Sequence, residues 1–305
     1  MTLRHMKIFS TVCYCKSVTQ AAKKLGIAQP AASLAIKELE NHYNVSLFDR
    51  ISHKLYITPD GEKLLRYARR IIGLFDEMEG EIKDADSSGI LRIGSSITIG
   101  TCLMPGFVRR FNAVYPKVKV FVTIDNSAKI EKKILDNQLD FALIEGNIHS
   151  DSIVYSRFIK DELVLVCRAN GILAGRTEIS ADELSGLPFI LREKGSGTRE
   201  LFDNALLTKG LTVAPVWESI SIKAIINAVL NDLGVSVLPL RLVEHELAAK
   251  ELVSCKISGI QLERYFYLIY HKDKHLSNAA QAFFKLLSSI NRSTPRRVNL
   301  APKQV

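Results

Sequence analysis

At 305 residues, with 47% of them hydrophobic and 24% charged, the chain can bury a substantial core and is too long for one ordinary domain. No apolar run approaches the roughly 18–20 residues of a membrane helix. No export signal follows Arg4 and Lys7, and five scattered cysteines suit neither a disulfide framework nor a zinc site, so a reducing cytoplasm is expected. The net charge of +9 sits at the two ends: eight basic residues against three acids in 1–58, four against none in 292–305, and 29 against 29 between. That distribution favours a polyanion partner for the first 58 residues over a basic surface kept for solubility.

In chain order, Ser17-Val18-Thr19-Gln20 fits a capping box that opens a short helix, with Ala21 and Leu25 inward and Gly26 as a left-handed stop. A second helix follows with Gln29 at its cap and Pro30 at its first position. Ala32, Ile36, Leu39 and Tyr43 make its inward stripe, leaving Gln29, Ser33, Leu34, Lys37 and Asn41 to solvent or a partner. Two short helices joined by a glycine turn are the form of a helix-turn-helix, whose second helix would enter the major groove. Residues 45–50 and 54–57 alternate as a hairpin whose tip, Ser52-His53-Lys54, would form a wing on the sugar-phosphate backbone. A helix-turn-helix used for protein contact is the alternative. The expected DNA-contacting residues are Ser17, Thr19, Gln29, Pro30, Ser33, Leu34, Lys37, Arg50, His53 and Lys54.

The runs Met6-Lys7-Ile8-Phe9, Ser17 through Ala22, Gln29-Pro30-Ala31-Ala32-Ser33, Ile36-Lys37-Glu38-Leu39-Glu40, Leu47-Phe48-Asp49-Arg50 and Leu55 through Gly61 together resemble the LysR-type transcription regulators. The resemblance is dense over about 60 residues. Two positions depart from it. Family members usually carry Ser or Thr where this chain has Ala28, and often a polar or basic residue where it has Leu34.

Thr58 then suits a helix cap and Pro59 a first position, and Leu64, Ala68, Ile71, Phe75, Met78 and Ile82 follow at heptad spacing. The stripe either packs on the chain's own body or pairs two chains. Pairing is favoured because no element nearby in sequence is read as able to cover it, and one helix-turn-helix reads half of a two-fold site. The resemblance implies a homodimer through this helix, commonly within a homotetramer. Residues 84–89 read as a polar hinge.

From Leu91 short strands alternate with amphipathic helices. Strands are predicted over 91–94, 118–124, 141–144, 163–166, 188–191, 213–217, 234–238 and 265–270, and helices over 103–115, 129–137, 198–207, 221–231, 240–248 and 278–290. Such alternation implies parallel sheets with ligand sites at strand ends. The fold class is therefore α/β: a winged helix-turn-helix domain (1–58), a linker helix and hinge (59–88), and a two-lobed effector domain like the periplasmic binding proteins (89–291). Lobe I would take 89–161 and 265–291, and lobe II 162–264. Residues 292–305 read as a basic, disordered tail.

Strand-end loops should line the cleft: Ser95, Ser96 and Thr98 after the first strand, Asn126 and Ser127 after the second, Glu145 after the third, and Glu218 in the second lobe. The sharpest signal is Arg192-Glu193-Lys194-Gly195-Ser196-Gly197-Thr198-Arg199, whose glycines and hydroxyls precede a helix; it reads as an anion site or, more plainly, as a flexible capped loop. Family members with a similar stretch include regulators of sulfur assimilation and carbon dioxide fixation, which answer to anionic metabolites. The resemblance thus implies a small anionic effector and double-stranded DNA as partners. Cys102 is read as a buried structural thiol in preference to a redox switch, and His42, His149, His245, His271 and His275 show no ligand spacing. No Walker loop, Gly-x-Ser-x-Gly elbow or His-Glu-x-x-His is found, so neither enzyme activity, cofactor, metal nor membrane association is expected.

Overall fold

The computed structural model describes residues 1–51, 54–83 and 89–291. Ser52 and His53 of the wing, 84–88 of the hinge and the tail from 292 lie outside them. The chain divides into two compact units.

The first unit opens with α1 (Leu3–Cys15), α2 (Val18–Leu25) and α3 (Gln29–Tyr43). Ser17 Oγ accepts the Gln20 N–H at 3.3 Å to start α2, and Gly26 ends it in the left-handed region at φ 65°. The α3 cap is Ala28, one residue before the expected Gln29. Its backbone is extended and its carbonyl accepts from Ala31 and Ala32, while its side chain supplies no hydrogen bond. The hairpin β1 (Phe48–Ile51) and β2 (Lys54–Ile57) pairs Arg50 with Leu55, and α4 (Pro59–Lys83) follows. Thr58 starts α4 as expected, its Oγ1 accepting the Gly61 N–H at 3.0 Å.

Phe9, Val12, Ala21, Ala32, Ile36, Leu39 and Leu47 fill the core of this unit. Leu25 and Tyr43, expected inside, are exposed: each is the last residue of its helix, where the packing stripe has run out, and Ala22 and Ala35 are buried instead. The stripe on α4 is also corrected. Ala68 is buried in the same core and Leu64 packs against it, so the start of the expected seam is covered by the chain's own helices. Among the described side chains of α4 the exposed apolar residues are Tyr67, Ile71, Leu74 and Met78, again at heptad spacing, Ile71 and Met78 from the predicted line and Tyr67 and Leu74 beside it, while the side chain of Ile82 lies outside those described. Phe75 is half-buried, with the Lys7 ammonium 5.3 Å from its ring centroid.

In the second unit β3 (Gly89–Ser95), α5 (Ile97–Cys102), α6 (Met104–Val114), β4 (Val118–Ile124), α7 (Ser127–Leu135) and β5 (Phe141–Glu145) wind one lobe, β3 lying parallel between β4 and β5. A single 16-residue strand, β6 (Ile153–Arg168), then runs into the other lobe. There follow β7 (Glu178–Ile179), β8 (Phe189–Arg192), α8 (Gly197–Leu207), β9 (Pro215–Ser219), α9 (Ile222–Leu230), β10 (Ser236–Pro239), α10 (Leu240–Ala248) and β11 (Leu252–Ile257). Strand β12 (Glu263–His271) returns antiparallel to β6, and α11 (Asn278–Asn291) closes the first lobe.

The sheets are mixed where parallel ones were expected. Strands β10, β11 and β12 all run antiparallel to β6, and β10 and β11 are joined to each other through α10. Residues 163–166 lie near the end of β6, β7 and β11 are strands beyond those expected, the helix expected over 103–115 is α6, and α5 before it is an addition whose last residue, Cys102, is exposed where a buried thiol was expected. One core gathers Leu91, Ile93, Phe111, Phe141, Phe266 and Phe283, and the other Leu165, Phe189, Phe202 and Val237. Strand β6 serves both, with Phe158 in the first core and Leu163 and Leu165 in the second, and its Asp161 faces Arg264 of β12 across the ladder.

Candidate functional site

Where β6 and β12 cross between the lobes, the sequence puts a charge at an inward position on each. Arg264 Nε donates to Asp161 Oδ2 at 2.8 Å. Its Nη1 donates to Thr198 Oγ1 at 3.0 Å and its Nη2 to Thr98 Oγ1 at 3.4 Å, while Nη1 lies 3.9 Å from Glu145 Oε1. One guanidinium thus ties the start of α5 in the first lobe to the start of α8 in the second.

Glu145, at the end of β5, is buried and accepts hydrogen bonds from Ser96 Oγ and, at 3.1 Å, from Thr98 Oγ1. Burial pushes its carboxyl above the ordinary value, against the pull of Arg264 and Arg192. Ser95, also buried, donates its hydroxyl to the Ser96 carbonyl at 3.0 Å.

The lobes meet backbone to backbone. A Cβ on Gly197 would stand 2.3 Å from the Glu145 carbonyl oxygen, so only glycine allows this approach. The Ala128 N–H donates to the Gly195 carbonyl at 3.1 Å. Asn126 accepts the Lys129 N–H at 3.0 Å and donates to Glu193 at 3.2 Å. Glu193 also holds Arg192 through Nε and Nη2, at 2.8 and 2.9 Å.

The beginnings of α7 and α8 are therefore together, and three buried donors among the described residues have no hydrogen-bond partner: Ser127 Oγ, Ser196 Oγ and Arg192 Nη1. Ser196 is the cap residue of α8, yet its side chain makes no capping bond. Buried polar atoms are costly when unpaired, and two hydroxyls at helix starts with a guanidinium at the end of β8 are donors that suit an anion.

Of the residues named from sequence, Ser96, Thr98, Asn126, Ser127, Glu145, Gly195, Ser196, Gly197 and Thr198 come together here. Glu218 stands apart on β9, half-exposed and paired with Arg199 at 3.3 Å. Sequence reasoning missed Arg264 and Asp161, and Arg192 stood at the head of the loop signal without being named as a site residue. The available signal was the alternation of Leu262, Arg264, Phe266 and Leu268, which puts a charge on an otherwise apolar inward face.

His149, which showed no ligand spacing in sequence, sits between two carboxylates from the two lobes. Its Nδ1 is 3.0 Å from Glu131 Oε2 and its Nε2 3.1 Å from Glu200 Oε1. Hydrogen bonding to Glu131, then Glu200, raises its pKa above 6.5 despite an opposing desolvation. A raised histidine pKa adds stability that is complete below the unfolded value and lost as pH rises through the folded one. The cross-lobe contact is therefore expected to loosen as pH climbs from 6.5 through that raised value. Amide exchange in the first turn of α8 should speed up over this range in the native chain and show no such step in His149→Gln.

In the first unit, Pro30, Leu34 and Lys37 are exposed on the side of α3 away from the core, and Gln29 Nε2 donates to Ser33 Oγ at 2.8 Å. Thr19 is exposed on α2, and the Ser17 hydroxyl is engaged in its cap. Arg50 and Lys54 stand on β1 and β2, on either side of the undescribed Ser52 and His53.

Among the described residues no helix is long and apolar enough to cross a membrane. Residues 3–62 match the bacterial regulatory helix-turn-helix protein, lysR family, and residues 84–290 the LysR substrate binding domain. The chain is 34% identical over 291 residues to the HTH-type transcriptional regulator YeiE of Escherichia coli, covering 95% of this chain and 98% of that one. It is 31% identical over 286 residues to the regulator CysL of Bacillus subtilis, with 93% and 96% covered. A full-length OxyR variant from Pseudomonas aeruginosa shares the fold, with a TM-score of 0.75 at 20% identity over 99% of both chains. The Synechocystis CcmR regulatory domain in complex with 2-PG covers 68% of this chain and all of that domain, with a TM-score of 0.63 at 28% identity. Two family domains in this order, on a helix-turn-helix and a two-lobed α/β receptor, show that the chain belongs to the LysR family of DNA-binding transcription regulators.

Proposed function

We propose that this regulator is controlled by a small oxyanion bound between the lobes, at the starts of α7 and α8. The observation that carries this reading is the trio of buried, unpartnered donors Ser127 Oγ, Ser196 Oγ and Arg192 Nη1. The CcmR domain with 2-PG and the QuiR domain with shikimate are similar proteins bound to small ligands. Ser96 and Thr98 would complete the site, since their hydroxyls now serve the Glu145 carboxylate and can turn to an anion once that group is protonated. Glu145 and the anion compete for the same donors, so binding takes up a proton.

The regulator acts in the cytoplasm on a two-fold DNA site, as a dimer paired along the Tyr67, Ile71, Leu74 and Met78 seam of α4. The exposed edges β4, with Phe121 and Val122, and β9, with Val216 and Trp217, would join dimers into a tetramer. We place the DNA-binding domain at 1–58, the linker and hinge at 59–88, and the lobe crossings near 161–162 and 264–265.

The test is calorimetric titration of the native chain and Glu145→Gln with a panel of oxyanions, including phosphate, sulfate, sulfite and 2-phosphoglycolate, from about pH 5.5 to 8.5. A carboxyl that must be protonated predicts affinity that is highest at low pH and falls about tenfold per unit above the Glu145 pKa. Glu145→Gln should bind with little pH dependence beyond that of the anion itself. Absence of binding by every anion in the panel, or an equal pH slope in both proteins, would remove the oxyanion reading and leave the regulator standing.

A further inference from the structure

On α3 the buried residues Ala32, Ala35, Ile36 and Leu39 define the face that holds the helix to its domain. At about 100° per residue, Pro30, Ser33, Leu34, Lys37 and Asn41 fall on the opposite face. Four of these five suit a DNA surface without comment: the first turn carries Pro30, Ser33 has a hydroxyl, Lys37 a cation and Asn41 an amide. Leu34 does not. It is 57% exposed, in the middle of a polar strip, on a 58-residue segment with eight basic residues and three acids.

We infer that Leu34 is a base-reading residue which takes the C5-methyl group of a thymine in the major groove. Within the major groove the edges of A, G and C offer only hydrogen-bond donors and acceptors, and thymine alone adds an apolar methyl. An aliphatic side chain cannot form the paired hydrogen bonds by which arginine or asparagine reads guanine or adenine. What it gains in the groove is burial, and only the thymine methyl offers an apolar surface to bury against.

The neighbours fit this use. Lys37, one turn further along, can meet a phosphate while leaving Leu34 at the base edge. Ser33 Oγ accepts from Gln29 Nε2 at 2.8 Å, so its own proton remains free for a base or phosphate acceptor beside the methyl contact. Leu34 therefore sets sequence preference, and Lys37 sets sequence-independent affinity.

The experiment starts with selection of binding duplexes from a randomised library by the full chain, native and Leu34→Ala. In the duplex selected by the native chain, each thymine is then replaced singly by deoxyuridine, which lacks only the methyl. Expected is one thymine per half-site whose replacement weakens native binding roughly fourfold, the contribution of one buried methyl group. Leu34→Ala should bind the thymine and deoxyuridine duplexes equally, and its own selected sites should lose the thymine at that position. Its salt dependence should stay native, whereas Lys37→Ala should lower the salt slope by about one. Since Leu34 is exposed, circular dichroism melting of Leu34→Ala should match the native chain and separate misfolding from lost recognition. The inference is overturned if no thymine shows the methyl effect, if the effect survives in Leu34→Ala, or if both proteins select the same bases. A loss of affinity without change in base preference would likewise overturn it and assign Leu34 to a sugar or protein contact.

Discussion

Replacement of Arg264 by leucine is expected to cost the effector-binding unit about 3–5 kcal/mol, the usual penalty for stranding a buried charge by removing its partner. Arg264 is almost fully buried and serves two buried carboxylates, Asp161 at 2.8 Å and Glu145 at 3.9 Å, and two hydroxyls. Arg241, 3.3 Å from Asp161 but partly exposed, covers only part of the loss. In the variant the Glu145 carboxyl, already raised by burial, loses the Arg264 charge that opposed that rise, so its charged form penalises the fold most at high pH. The deficit should be largest near pH 8 and shrink as pH falls and Glu145 takes up a proton. Urea midpoints of the second unit at about pH 5 and pH 8 would check this, and a deficit independent of pH would mean that Arg264 acts through packing alone.

The second large effect is predicted at Gly197. A single methyl there overlaps the Glu145 carbonyl at 2.3 Å, and backbone on both sides leaves no side chain to step aside. Gly197 lies at the start of α8 with an ordinary negative φ, so alanine suits its own helix and the conflict is entirely with the other lobe. Gly197→Ala should therefore fold with its lobes held apart. Overpacking of this kind costs about 1–3 kcal/mol, which corresponds to a fall in anion affinity of roughly 5- to 150-fold. Gly106→Ala, where an added Cβ meets nothing within 4 Å, is the matched control. Titration calorimetry gives the affinities and small-angle scattering the lobe separation. Native affinity in Gly197→Ala would mean that the anion binds without this closure.

Local signals are legible wherever a few adjacent residues decide the outcome. Ser17, Gly26 and Thr58 each end or begin a helix through bonds within a few residues, and each has that role in the structure. The Gly195-Ser196-Gly197-Thr198 loop is legible for the same reason, since close approach and a helix start are local properties. What stays hidden depends on distant partners. Arg264 and Asp161 are 103 positions apart, and nothing beside either in sequence says that they share a ladder. His149 looks idle in sequence because its two carboxylates stand 18 positions before it and 51 after it. The seam on α4 lies partly beside the expected line because heptad spacing fixes a period but not which of two adjacent stripes the domain's own helices will cover.

That both lobes are threaded by β6, one continuous strand, bears on how the receptor can move. A hinge needs a few residues whose dihedrals swing freely, but here the chain passes from core to core inside two hydrogen-bonded strands, clamped at the crossing by Asp161 and Arg264. Such a pair resists bending and yields mainly by twist, as a torsion bar does. Lobe rotation should thus be small and elastic, with a restoring torque that grows with angle. Ligands that fill the cleft to different degrees would then set different angles, giving the promoter a graded instruction in place of a binary one.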